Sequence, residues 1–220
     1  MSDNRDRRNR PLQKKIVLIT GPQGSGNHLF SKILGASPHV YGWDFGDKYW
    51  IPSDEEPFAD CWVNPDLTVP TLEKIEEDYI VANVSVPFVY DGEIRIPAIQ
   101  EFIDNATKAG YNVTLAIVVR DRNINALQQE RVRDKVTLPI AMTYYNSMDH
   151  WDRVFLDHEA LFLHKGAYIK FLGRLLGIPV VYDKLSELDV DSNNKYVSYV
   201  EKHWLDEHVW NGLRPKDERK

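Results

Sequence analysis

Residues 16–32, IVLITGPQGSGNHLFSK, pass from an apolar run through a glycine-rich turn into a helical pattern, and that order decides the fold. Ile16, Val17, Leu18, Ile19 and Thr20 form a run without polar alternation, long enough for a parallel strand covered on both faces. Leu29, Phe30, Ile33 and Leu34 recur at helical spacing. Between them, Gly21, Gly24 and Gly26 permit the backbone angles of a tight loop. Backbone N–H groups in such a turn, at the positive end of the following helix, hold an anion without a cationic side chain. The stretch is expected to be a phosphate cradle; the plainer reading is a purely structural strand, turn and helix.

The spacing from Gly21 to Gly26 fits the first part of the nucleotide-binding pattern G-x-x-x-x-G-K-[ST]. The next two positions depart from it. Asn27 stands where a lysine reaches the terminal phosphates, and His28 stands where a Ser or Thr hydroxyl holds magnesium. Phosphate binding is therefore expected and magnesium-dependent ATP hydrolysis is not.

A chain of 220 residues with 43% hydrophobic content can bury one sizeable core. The expected division is a flexible basic arm at 1–14, one α/β domain at 15–212 and a flexible tail at 213–220. No apolar stretch of membrane-spanning length or signal-peptide core is found, so a soluble, cytoplasmic protein without membrane insertion is expected. Cys61 is the single cysteine, which excludes an internal disulfide and a cysteine-based zinc site. The formal charge of -6 argues against a general nucleic-acid binder, which needs a concentrated positive face.

Along the chain, Gly35 and Ser37-Pro38 end the first helix, and residues 39–43 are expected to form a short second strand. Tyr41, Trp43, Phe45, Tyr49, Trp50, Phe58 and Trp62 follow without regular periodicity, in a segment that either packs or grips a substrate. Residues 71–78 read as a short helix capped by Thr71, leading into a third strand at 79–86 that ends at Pro87. Residues 97–109 read as a helix with Ile99, Phe102, Ile103 and Ala106 on one face and Gly110 as its stop. Residues 113–119 are the clearest strand, ending in Arg120. Strands alternating with helices imply a P-loop-type parallel sheet flanked by helices in one α/β domain, with ligands at the carboxyl ends of the strands. There the glycine loop and Arg120 would meet, and the arginine's planar fork suits an anion.

Three features in this order resemble the sulfotransferase superfamily. They are the loop GPQGSGNH, the strand end VVRDRNINALQ, and the late run FLDHEALF from Phe155 followed by a helix at 167–176 and LGIP. Together they span most of residues 16–200. The resemblance implies transfer of a sulfuryl group from 3′-phosphoadenosine 5′-phosphosulfate to a hydroxyl or amine of a small-molecule or carbohydrate acceptor, with no metal. In that picture Gln23, Gly24, Ser25, Gly26, Asn27 and His28 bind the 5′-phosphosulfate and Arg120 binds the 3′-phosphate. Gln128 falls where the family's 3′-phosphate serine stands, and Lys195, in Asn193-Asn-Lys195, resembles a basic residue of a loop that closes over the nucleotide. The family's loop lysine is replaced by Gly24, and Ser85-Val-Pro87 occupies the stretch where cytosolic members carry a catalytic histidine.

In-line transfer also needs a base for the acceptor and donors for charge on the leaving oxygen. Asp44 and Asp47, which follow Pro38 among the aromatics, are the candidate bases, with His39, Asp91 and Glu93 as alternatives; His28 is a candidate donor. Two other classes fit the same cradle. A nucleotide or small-molecule kinase would take its cation from Lys32, Arg120, Arg122 or Arg131. A non-catalytic nucleotide-binding module would keep the cradle without a base.

Overall fold

The computed structural model describes residues 13–42, 57–148, 152–181 and Asn193. The first strand, β1 (Lys15–Pro22), lies at the centre of a five-stranded sheet and is buried along nearly its whole length. The elements that follow it are α1 (Asn27–Gly35), β2 (Val40–Tyr41), α2 (Ala59–Val63), a 3-10 turn (Pro65–Leu67), α3 (Thr68–Leu72) and β3 (Tyr79–Val86). A hairpin of β4 (Phe88–Tyr90) and β5 (Glu93–Arg95) precedes α4 (Ile99–Lys108) and β6 (Asn112–Val119). The described chain then runs through α5 (Arg122–Arg133), α6 (Leu138–Asn146), β7 (Arg153–Asp157) and α7 (His158–Leu176).

The sheet order is β2-β3-β1-β6-β7 and every pairing in it is parallel, so the expected α/β architecture of a parallel sheet flanked by helices is the observed one. The alternation of side chains along β1 divides the core in two. Ile16 and Leu18 join Ile80, Ala82, Leu115 and Ile117 under α2, α4 and α6. Val17 and Ile19 join Val81, Ala116, Val118 and Leu156 under α1 and α7. Burial on both faces is why β1 and β6 read as uninterrupted apolar runs. The chain fills the sheet on one side of β1 and then crosses to the other, so the crevice at the carboxyl ends of β1 and β6 is the switch point where open α/β sheets take ligands.

Several elements differ from the sequence reading. The helix expected at 71–78 lies earlier, at α3, because the Asn64 side chain accepts from the Asp66 amide and turns the chain at Pro65; Thr71 is inside the helix rather than its cap. Leu72 and Ile75 are drawn into the core, and residues 75–77 run in irregular backbone toward β3. The second strand is shorter than expected within the described residues, and Trp43, Phe45, Tyr49 and Trp50 lie outside them. Tyr41, Phe58 and Trp62 are packing residues: Trp62 and Phe58 sit 4.6 and 6.1 Å from the Phe102 ring centre, and Tyr41 packs edge-on to Phe58. The late helix begins at His158 rather than at 167, because the Asp157 carboxylate accepts from the Ala160 amide at 2.8 Å and caps it; the backbone leaves helical geometry once, at Lys165. Among the described residues, no helix is long and apolar enough to cross a membrane.

Candidate functional site

The cradle is the turn between β1 and α1. Gly24 has φ +80° and Gly26 has φ +110°, the left-handed region that residues with a Cβ rarely adopt. Gly26 is the N-cap of α1 and carries no side chain to cap it, so the first-turn amides of α1 have no cap from it. A helix N-terminus left open in this way presents N–H groups and a partial positive charge to an anion.

The polar side chains of the loop hold its shape. The Ser25 hydroxyl is buried within 2.8 Å of the Pro22 carbonyl and 2.9 Å of Asn27 Oδ1. Asn27 is only 3% exposed; its Nδ2 donates to the Gly21 carbonyl at 2.9 Å and lies 3.0 Å from the Ser85 hydroxyl. The residue in the lysine position of a P-loop is thus turned inward, and Ser85 is one of its partners. Gln23 is buried as well. Its Oε1 accepts from the Thr137 hydroxyl at 2.9 Å, and its carbonyl accepts from Gln129 Nε2 at 2.6 Å. Gln129 Oε1 in turn accepts from the amides of Thr137 and Leu138, so one buried side chain fastens the loop to the start of α6.

On the other side of the turn stands Arg120, just past β6. Its guanidinium donates to the Gly24 carbonyl at 2.6 Å, to Gln128 Oε1 and to Asn193 Oδ1. Asn193 Nδ2 donates to Glu159 Oε1 at 3.2 Å, and the same carboxylate oxygen accepts from the Asp121 amide. The Asp121 side chain caps α5 by accepting from the amides of Asn123 and Ile124 at 2.9 Å each. A short polar network therefore ties the glycine turn to α5, to the first turn of α7 and to Asn193.

His158, 2% exposed, lies under the turn: a Cβ on Gly26 would fall 2.7 Å from His158 Cδ2. Burial, reinforced by the nearby Arg120 charge, lowers its pKa to about 3, so the imidazole is neutral at ordinary pH. On the opposite face Tyr145 shares a 2.7 Å hydrogen bond with the Thr20 hydroxyl, and burial pushes its phenol pKa upward.

The structure brings Gln23, Gly24, Ser25, Gly26, Asn27 and His28 into one loop and helix start, with Arg120 donating to the Gly24 carbonyl and to Gln128. His28 is the second residue of α1 and half-buried. Asp44, Asp47 and Lys195 lie outside the described residues, as do His150, His203 and His208. His39 is exposed after α1, and Asp91 and Glu93 are exposed on the β4–β5 hairpin, where Glu93 pairs with Arg95 at 2.8 Å. Gln129, Thr137, Asn125, His158 and Asn193 were not expected at the site. Their residue types carry no spacing signal, and only the crossing of α5 and α7 over the loop reveals them. Among the described residues, no group of three or more His, Cys, Asp or Glu side chains could hold a metal ion.

No protein-family model matches the chain. No curated protein matches it. Among solved structures it is similar to retinol dehydratase in a complex with retinol and PAP, at 13% identity and a TM-score of 0.36 over 82% of this chain. The match covers 65% of that chain, so this chain spans just under two thirds of that protein's length.

Proposed function

We propose that this protein binds 3′-phosphoadenosine 5′-phosphosulfate and transfers its sulfuryl group to a hydroxyl or amine of a small-molecule or carbohydrate acceptor. The observation that carries the reading is Arg120, which donates to both the Gly24 carbonyl and Gln128 Oε1 beside an open helix N-terminus. Two anion-binding elements of different chemistry are thus adjacent. One is the row of loop and helix amides, suited to a 5′-phosphosulfate; the other is a guanidinium fork with an amide beside it, suited to a 3′-phosphate. Glycine at both positions is required by the loop's own packing: a Cβ at Gly24 would approach Asn125 Oδ1 to 3.2 Å, and one at Gly26 would collide with His158.

The donor supplies the activated sulfuryl group. The chain's own contribution is to hold both phosphates, to offer N–H donors and His28 near the leaving oxygen, and to remove the acceptor's proton. Asp44 or Asp47 is the proposed base. Lys195, which lies outside the described residues, is the proposed further contact to the nucleotide. The inward-turned Asn27 and the imidazole at position 28 favour this reading over a magnesium-dependent kinase, whose loop needs an outward lysine and a hydroxyl.

The test is a melting screen. Adenosine 3′,5′-bisphosphate at a hundred times its dissociation constant is expected to add about 2.7 kcal/mol of stability, with no further gain from magnesium. A shift with ATP and magnesium alone would indicate the kinase class. A shift with the bisphosphate but no sulfuryl transfer to any hydroxyl or amine would indicate a binding module.

A further inference from the structure

The second half of α7 has two contrasting faces. Ile169, Leu172, Gly173 and Leu176 are buried toward the sheet. Ala167, Phe171 and Leu175, spaced four residues apart, share the opposite face and are exposed, Phe171 to 53% and Leu175 to 48%. Leu163, before the break at Lys165, is exposed as well. Single exposed apolar side chains are ordinary, but a row of them along one helix marks a contact surface. Phe171 stacks on Tyr168, with ring centres 6.1 Å apart, and the Tyr168 hydroxyl accepts from the Asp157 amide at 2.8 Å, so the aromatic part of the row is braced against the edge of the sheet.

The charge beside the row is of one sign. Lys170 and Arg174, one turn apart, are exposed along its border, and neither forms an ion pair among the described residues. The one carboxylate of α7, Glu159, lies in its first turn at the other end of the helix. Lys15 stands at the foot of α7, since a Cβ on Gly177 would fall 3.1 Å from its Nζ. The chain that enters the fold there carries Arg5, Arg7, Arg8 and Arg10, with Asp3 and Asp6 as its acids, although the protein as a whole carries -6. An antiparallel pairing of two copies through this row would bring their cationic borders together, which disfavours a second copy as the occupant. An anionic bilayer suits both features. Interfacial helices bury an apolar row at headgroup level while Lys and Arg reach the phosphates, and an arginine-rich segment is drawn to acidic lipid without a shaped partner.

We infer that the outer face of α7, together with the arginines that precede β1, is a peripheral docking surface for an anionic lipid bilayer. Phe171 and Leu175 enter the interface, and Lys15, Lys170 and Arg174 meet the headgroups. The helix lies on the membrane rather than crossing it. The inference stands apart from sulfuryl transfer, since no residue of the cradle belongs to this face.

Flotation of the full chain with vesicles of phosphatidylcholine and phosphatidylserine in equal parts, and with phosphatidylcholine alone, tests it. The chain is expected to float with the mixed vesicles, to bind the neutral ones about tenfold or more weakly, and to be released by high salt. Lys170→Gln combined with Arg174→Gln is expected to weaken binding about tenfold or more, from roughly fivefold per cation. Phe171→Ser is expected to weaken it about tenfold, the effect of one large apolar side chain left unburied. Leu175→Ser, which leaves the Tyr168 stack intact, is expected to act in the same direction. Failure to float with the mixed vesicles would overturn the inference, and capture on immobilised polyglutamate instead would assign the face to an acidic protein. Equal binding to both vesicle types would overturn it too, as would undiminished flotation of both serine variants, which would leave the arginines as a charge-only attachment. A dimer in sedimentation equilibrium that Phe171→Ser splits would assign the face to a second copy. The bisphosphate melting shift is expected to be the same in every variant, so failure of the nucleotide reading and failure of this one are distinct results.

Discussion

Gly26 is held by two independent constraints, a left-handed backbone and the imidazole of His158 beneath it. Gly26→Ala is therefore expected to cost about 2–5 kcal/mol, from the φ penalty and from overpacking. Urea denaturation of Gly26→Ala, His158→Ala and the double variant separates the two. The steric part is relieved when His158 is gone, so the double variant should lose at least about 0.5 kcal/mol less than the sum of the singles. Strict additivity would mean that the histidine does not limit the turn. His158 also sets a pH dependence. Its folded pKa of about 3 lies below the unfolded value near 6.5, so under pH 6.5 the unfolded chain takes up a proton that the folded chain refuses. This group's contribution is complete above pH 6.5 and falls, at a slope approaching about 1.4 kcal/mol per pH unit, as pH drops toward 3. Stability against pH for the parent and for His158→Gln checks this: the variant should lose that part of the slope.

At the scale of the elements, Gln129 of α5 is one of two buried side chains, with Gln23, that join the loop to the start of α6. Gln129→Leu keeps the bulk but strands the Gln23 carbonyl and the amides of Thr137 and Leu138. The expected cost is about 2–5 kcal/mol, and amide exchange at the start of α6 should rise more than exchange in β1. Uniform exchange throughout would show that the glutamine is not a local fastener. The same bond explains why α6 was not legible. Its N-cap, Thr137, makes no side-chain cap bond, Pro139 sits in its first turn and its sequence lacks a clear polar face, so a distant glutamine supplies what local capping does elsewhere. The β4–β5 hairpin was missed for another reason. Asp91 and Gly92 both take positive φ at its tip, but three-residue strands are too short for alternation to register. By contrast α4 was legible, because Ile99, Phe102 and Ala106 all face the core and are buried at the spacing a helix demands.

Over the whole molecule, the parallel order β2-β3-β1-β6-β7 sets the ends of β1 and β6 side by side, and Arg120 reaches Gly24 across 96 residues of sequence. If Arg120 takes the 3′-phosphate, Arg120→Ala should weaken adenosine 3′,5′-bisphosphate by tenfold or more beyond its effect on adenosine 5′-monophosphate, the equivalent of about 1.5–3 kcal/mol. Equal losses in calorimetry would assign the arginine to the loop's own carbonyl instead. The sequence by itself determined the strand, glycine turn and helix, since long apolar runs and positive-φ positions are local demands that only certain residues meet. It also determined that Arg120 ends a buried strand. Only the tertiary structure decided that Asn27 turns inward to Gly21 and Ser85, that His158 lies beneath Gly26, and that Gln129 joins the loop's own Gln23 in fastening the cradle to α6. Those contacts depend on which strands become neighbours and which helices cross them, and long-range pairing of this kind leaves no period or spacing in the chain.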